Sequence, residues 1–396
     1  DGFKQALADL HEGNMAYFNG LYSKAIEPFE KAHNFNAKNA ELNGKLADCY
    51  YHSGDIEKAK EFLENAFKLD ANTDGYFLFL KGKMLHAENE FDEAIKQYRT
   101  SKTKGSEIKP NEVATADKKI KECSYAKKLI ATPVNVEIVN VGKNINSSNQ
   151  EYVPVITADE SELFYTSRRA DTEGEGRDNQ IDDFYEDIYY SSKDEKGEWQ
   201  KAVNIGKPIN SPFHDATVGL SIDGQKLFIY RDNSKGIGNI YVTEKKGNDW
   251  TEPTELPKPI TSKYQETSAS YDYTGKTIYF VSARPGGKGG KDIYKSTQNK
   301  EGNWGEAENL GTPINTEFDE DAVFLHPDGK TLYFSSNGNN SMGGYDIFKS
   351  TFEKGKWSRP VNLGYPINSA DDDVAFVLTA NGEHGYYTSE KAGGEG

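Results

Sequence analysis

The chain has 396 residues, 35% hydrophobic and 12% aromatic, with 47 Lys+Arg against 63 Asp+Glu and a formal net charge of −16. That length accommodates two or three domains, and no apolar run approaches the roughly 18 residues of a membrane-spanning helix. Residues 1–131 are close to neutral and the rest carries nearly all the acidic excess, so phosphate is repelled and nucleic acid is not an expected partner.

Residues 1–131 read as helical, with apolar residues recurring every three or four positions. Three copies of one pattern lie here: GLYSKAIEPFEKA (Gly20 to Ala32), GDIEKAKEFLENA (Gly54 to Ala66) and NEFDEAIKQYRTS (Asn89 to Ser101). Their columns are Ala25, Ala59 and Ala94; Phe29, Leu63 and Tyr98; and Ala32, Ala66 and Ser101. Small residues let paired helices approach, and the large column fills the space between pairs. Gly20 and Gly54 fall where one helix ends and the chain turns. Asn111 to Ile130 is predicted as one further helix capping the array, its Lys118, Lys119, Lys121, Lys127 and Lys128 forming a solvated face. Cys49 and Cys123, both in predicted helices, are too few for a metal site. Their number fits a reducing cytoplasm or a bacterial envelope alike. Because Asp1 is not Met, a trimmed precursor is expected, starting just after a removed signal or a lipid-bearing Cys.

Thr132-Pro133 ends the helical part. From there to residue 396 a second repeat runs, most clearly over Leu310 to Lys349. Its opener is Pro-Ile-Asn: Asn144-Ile145-Asn146, Pro208-Ile209-Asn210, Pro259-Ile260-Thr261, Pro313-Ile314-Asn315 and Pro366-Ile367-Asn368. An acidic residue, two strands around a turn and a Gly-rich loop follow. Then comes a third strand opened by Asp187-Ile188-Tyr189, Asn239-Ile240-Tyr241, Asp292-Ile293-Tyr294 or Asp346-Ile347-Phe348. All four Trp of the chain, Trp199, Trp250, Trp304 and Trp357, stand at one repeat position, 51 to 54 residues apart. Several short strands per unit at this period predict propeller blades. Val134 to Gly142 aligns with a closing strand, so it is expected to complete the last blade. That blade contributes Asp371 to Leu378 and Gly385 to Ser389 and is incomplete at residue 396. The predicted fold is therefore an N-terminal α-solenoid over 1–131, followed over 132–396 by a β-propeller of five blades with N-terminal strand closure, or alternatively six.

The first blade carries a longer loop between Ser167 and Asp187, and insertions of this kind project from one face and bind partners. Arg168, Arg169, Arg177, Asp178, Asp182, Asp183, Phe184 and Tyr185 are the candidate partner-binding residues. Asp187, Asp292, Asp346 and the four Trp are read as the structural blade motif. The seven His show no metal-ligand spacing, and no G-x-S-x-G elbow occurs. Asp319–Asp321 and Asp371–Asp373 resemble Ca²⁺-binding or carboxylate-pair tracts. An acidic residue recurs in blade after blade, however (Asp215, Glu266, Glu320, Asp372), which fits a structural acceptor of backbone N–H bonds. The Gly-rich loops Gly286–Gly290 and Gly343–Gly344 lack a following helix or G-K-[ST], so they read as strand connections rather than phosphate cradles.

The helical repeat resembles the tetratricopeptide repeat in length and in its Gly, Ala and aromatic columns; Ala37 and Ala71 replace the usual proline. The blade motif resembles the TolB-type, WD-repeat-like propeller. Together they resemble a family of Bacteroidetes OmpA-family outer-membrane lipoproteins that includes PorE-like components of the type IX secretion system. The resemblance implies a non-enzymatic periplasmic scaffold without cofactor, held at the outer membrane as a lipoprotein. Its implied partner is a PorP/SprF-like barrel, with peptidoglycan reached only through a C-terminal domain not among these residues. The alternatives are a carbohydrate- or peptide-binding propeller module of an uptake system, and a propeller glycosidase or lyase. A carboxylate pair in an open central channel would mark the enzyme; a channel lined by repeated blade residues counts against it.

Overall fold

The computed structural model describes residues 2–174, 176–178, 181, 183–232, 238–247, 249–338 and 340–391. The chain divides into two compact units, Asp1–Ser124 with Asp178–Asp183, and Tyr125–Arg177 with Phe184–Gly396.

The helices are α1 (Gly2–Phe18), α2 (Tyr22–Phe35), α3 (Ala40–His52), α4 (Ile56–Leu69), α5 (Gly75–Ala87), α6 (Phe91–Lys104), α7 (Pro110–Ala114) and α8 (Ala116–Ala131), the last of which runs on into the second unit from Tyr125. The first six helices pack as successive pairs. Asn39, Asp55 and Asp74 start α3, α4 and α5 by accepting backbone N–H bonds in the first turn. Gly20 and Gly54 hold φ of 76° and 80° at the turns inside two pairs, as the column predicted. The three columns of small and large residues are buried throughout. Gly13 on α1 is required by contact: a Cβ there would lie 2.3 Å from the Phe29 ring. The helix expected over Asn111 to Ile130 is broken in two. Thr115 ends α7, its hydroxyl and N–H both donating to the Glu112 carbonyl.

In the second unit, blade one comprises β1 (Glu151–Ile156), β2 (Glu162–Ser167), β5 (Asp187–Ser192) and β6 (Val203–Asn204); between β2 and β5 the chain forms the separate short ribbon β3 (Arg177–Asp178) and β4 (Asp183–Phe184), whose Asp178 and Asp183 count with the first unit. Blade two comprises β7 (Asp215–Leu220), β8 (Lys226–Arg231), β9 (Asn239–Lys246), β10 (Asp249–Trp250) and β11 (Thr254–Glu255). Blade three comprises β12 (Glu266–Tyr271), β13 (Thr277–Ser282), β14 (Asp292–Thr297) and β15 (Glu308–Asn309). Blade four comprises β16 (Glu320–Leu325), β17 (Thr331–Ser336), β18 (Asp346–Glu353), β19 (Lys356–Trp357) and β20 (Val361–Asn362). A two-stranded hairpin, β21 (Asp373–Leu378) and β22 (Gly385–Ser389), follows. Within each blade the main strands pair antiparallel in chain order. The first strands pack side by side, with β21 between β16 and β1, so the ring closes.

The blade count differs from the expectation. Among the described residues there are four complete blades, not five or six, and the hairpin takes the remaining place in the ring. Val134 to Gly142 forms no strand. The reason is visible in the complete blades, where the short fourth strand is held by the third: Asn204 lies opposite Tyr189, Asn309 opposite Tyr294 and Asn362 opposite Phe348. No described strand stands between β22 and Val134 to Gly142, so that ladder has no template.

The Trp column staples neighbouring blades. Trp250 meets Phe164 of the preceding blade edge-on at 5.9 Å, and Trp357 meets Tyr279 likewise at 6.1 Å. Trp304 joins the cluster that holds Phe228 of blade two. Trp199 meets Tyr386 of the hairpin at 6.4 Å, closing the ring. Val153 N–H also donates to Thr388 Oγ1 across that closure, at 3.0 Å.

Candidate functional site

The recurring carboxylate builds the start of each blade. Glu151, Asp215, Glu266, Glu320 and Asp373 accept the N–H of Ser147, Ser211, Ser262, Thr316 and Ser369, all four residues upstream, at 2.5 to 3.1 Å. The last member is Asp373 rather than Asp372. Asp372 instead accepts Tyr345 N–H at 2.7 Å, just as Asp319 accepts Lys291 N–H at 2.9 Å. The Asp-rich tracts are thus shared among separate backbone donors, and among the described residues no acidic or His/Cys cluster is arranged to hold a metal ion.

Arginines tie these carboxylates to the openers. Arg231 bonds Asp215 at 2.6 Å and the Pro208 carbonyl at 3.1 Å. Arg284 bonds Glu266 at 3.2 Å and the Ile260 carbonyl at 2.6 Å. Arg169 does the same in blade one, reaching Glu151 at 3.1 Å and the Ile145 carbonyl while lying over the Tyr189 ring. Arg168 also points inward, to Glu186 at 2.6 Å and the Phe184 carbonyl at 3.0 Å. Burial would raise the Glu186 pKa, but His214, Arg168 and Tyr152 outweigh it and hold the carboxyl below its usual range. These two arginines fix the base of the insertion.

The tip of the insertion is different. Arg177 is exposed, its guanidinium 5.1 Å from the Phe184 ring centre, and β3 pairs with β4 as a narrow ribbon. Asp178, Asp183 and Tyr185 are half-buried, and Tyr185 packs on His214 with ring centres 4.9 Å apart. Asp182 lies outside the described residues.

The motif aspartates fold the Gly-rich loops. Asp292 accepts the N–H groups of Lys288 and Gly289 at 2.5 and 3.0 Å and the Asn309 amide at 2.7 Å. Asp187 and Asp346 accept Asn204 and Asn362 in the same way, at 2.7 and 2.6 Å. Close approach explains the glycines: a Cβ on Gly289 would sit 1.8 Å from the Phe318 carbonyl oxygen. The opener asparagines complete the device. Asn210, Asn315 and Asn368 each accept the N–H and return an N–H to the carbonyl of one third-strand Ile (Ile188, Ile293 and Ile347), and each donates to the fourth-strand Asn.

The axis of the ring holds a cavity of about 80 Å³ lined by repeat-equivalent positions such as Val153, Ser268, Ala322 and Ala375, and among the described residues no titratable side chain lines it. A carboxylate pair for glycoside chemistry is not placed there.

In the helical unit the polar centre is one that sequence reasoning missed. Asp48 is fully buried on α3. It accepts the hydroxyls of Tyr17 and Tyr76 at 2.7 and 2.6 Å and the Lys109 ammonium at 2.7 Å. Lys109 lies 4.6 to 5.1 Å from the ring centres of Tyr17, Tyr22 and Tyr76. Burial opposes its charge, but Asp48 and the Tyr22 hydroxyl outweigh that and raise its pKa. His52 stacks on Tyr22 and is pushed down to about 4 by desolvation, so it is neutral. Lys109 is 61 residues from Asp48, and no spacing in the sequence joins them.

Fold and site together define a repeat protein that joins a tetratricopeptide-type array to a β-propeller. The family model of anaphase-promoting complex (cyclosome) subunit 3 matches residues 19–101. A TolB structure from Agrobacterium tumefaciens is similar at 19% identity and TM-score 0.38, covering 62% of this chain and 72% of that one. The first TPR of Spaghetti (RPAP3), bound to an HSP90 peptide, is similar at 22% identity and TM-score 0.27, covering 32% of this chain and 94% of that one. A periplasmic gluconolactonase of Pseudomonas aeruginosa is similar at 13% identity and TM-score 0.36, covering 60% and 65%. No curated protein sequence matches this chain. No described helix is long and apolar enough to cross a membrane.

Proposed function

We propose that this protein is a non-enzymatic scaffold of the bacterial envelope, in which two rigid repeat surfaces hold partners. In this reading it is a periplasmic, outer-membrane-associated lipoprotein of the type IX secretion or gliding machinery. One partner is an outer-membrane barrel of the PorP/SprF kind, and domains beyond these residues reach the cell wall. The observation that carries the scaffold reading is where the polar repeat residues are used: carboxylate, Arg and Asn of blade after blade bond each other and the backbone. The partner-facing candidate is the first-blade insertion, whose Arg177 is exposed and whose base is locked by Arg168 and Arg169. The test is affinity purification of the tagged full-length protein from detergent-solubilised native envelopes. Stoichiometric co-elution of an outer-membrane barrel is expected, weakened at least tenfold by Arg177→Glu. A monomer eluting alone from the soluble fraction would sink the reading.

A further inference from the structure

In a repeat protein the residues that recur hold the fold, and a cavity whose lining departs from the repeat needs a separate explanation. One such cavity, of about 540 Å³, opens between blades one and two beside Trp250. Three rings line it. Phe164 is buried, stacks on Tyr190 with ring centres 6.0 Å apart, and meets Trp250 edge-on; Tyr190 and Trp250 are half-buried. The Trp recurs, but Tyr190 does not: the matching third-strand position holds Val242, Lys295 and Lys349 in the other complete blades. Beside the rings, Lys245 Nζ donates across the blade boundary to both carboxylate oxygens of Glu162, at 2.8 and 3.1 Å. Glu162 is also particular to blade one, its counterparts being Lys226, Thr277 and Thr331. Blade four has Phe352 in place of Lys245, packed on Trp357 at 5.0 Å. Lys207 and Asp249 complete the charged lining, so its two acidic and two basic side chains cancel.

We infer that this cavity is a binding site for a neutral oligosaccharide. With the lining charges balanced, neither an anion nor a cation gains net Coulombic energy there. The half-buried rings of Tyr190 and Trp250 offer apolar surface to the C–H face of a pyranose. The Glu162–Lys245 pair sets an acceptor beside a donor, which suits two adjacent sugar hydroxyls, since each hydroxyl both donates and accepts. A purely apolar ligand would strip water from that pair without replacing its hydrogen bonds. A proline-rich peptide would use the rings but bring few N–H groups to Glu162. The inference goes beyond the scaffold reading and does not depend on it.

The test is isothermal titration calorimetry of the 396-residue protein with cellotetraose, maltotetraose and chitotetraose. Two variants copy residues that other blades carry at the same positions: Tyr190→Val, as in blade two, and Glu162→Thr, as in blades three and four. Saturable binding of at least one tetrasaccharide is expected, weakened about tenfold by either substitution while the melting temperature stays at the parent's value. The two variants are read separately, so one decides if the other fails to fold. Absence of saturable binding with all three sugars overturns the inference. So does undiminished binding by a folded variant, which would put the sugar elsewhere, and so does saturation by an uncharged proline-rich peptide in place of the sugars.

Discussion

Glu320 shows how burial and titration are linked at one residue. It is fully buried, and its partners are hydroxyls and an N–H: Thr316 Oγ1 at 2.7 Å, Ser336 Oγ at 3.2 Å and Thr316 N at 3.0 Å. Desolvation outweighs these donors and pushes its pKa up to about 7; Asp373, similarly buried, is also raised to about 7. A carboxyl whose folded pKa is raised contributes stability that is complete below its unfolded value, about 4, and is lost as pH rises through about 7. Glu320→Gln removes that titration. Its stability is expected to fall less than the parent's between pH 5 and pH 8, a difference on the order of 2–3 kcal/mol. Parallel curves from calorimetry at the two pH values would contradict the assignment. The sequence located Glu320 as a repeated acceptor but misplaced its counterpart by one residue. Two adjacent aspartates meet different backbone N–H groups, Asp372 that of Tyr345 and Asp373 that of Ser369, and only Asp373 is fully buried.

At the scale of elements, helix pairing rests on small residues facing rings. Gly13→Ala places a Cβ against Phe29 at 2.3 Å, so α1 and α2 must separate or the ring must turn. The expected cost is about 1–3 kcal/mol, read as a lower urea midpoint of the helical signal. An unchanged midpoint would mean that the pair is not close-packed there. Sheet assembly depends on the opener asparagine. Asn315→Ala leaves the Ile293 N–H and carbonyl without their partners in a buried site. A loss of about 1–3 kcal/mol is expected, with accelerated amide exchange at Ile293 but not at Ile240, whose blade carries Thr261 in that place. The strands were legible because each repeats an apolar pattern bounded by Gly turns. The break between α7 and α8 was not, since one Thr hydroxyl capping Glu112 decides it. The insertion was legible as a length difference, but not the division of labour between Arg168 and Arg169 at its base and Arg177 at its tip.

For the propeller as a whole, ring closure is the decisive feature. Trp199 against Tyr386 and Val153 against Thr388 join its two ends. Trp199→Ala removes the aromatic contact across that seam. Faster amide exchange throughout β21 and β22, with β13 unchanged, is the expected result. Undiminished protection of the hairpin would show that the seam is held elsewhere.

The amino-acid sequence by itself determined two repeat architectures and the positions of the blade motif, because periodicity is written into every copy. Only the tertiary structure decided which copies become complete blades. A fourth strand forms where a third strand offers its backbone, and among the described residues Val134 to Gly142 meets none. Tertiary structure also decided that Lys109, far along the chain, seats on buried Asp48 among three tyrosines. Pairing partners and burial are properties of neighbours in space, and a strand or an ion pair exists only where its neighbour is delivered.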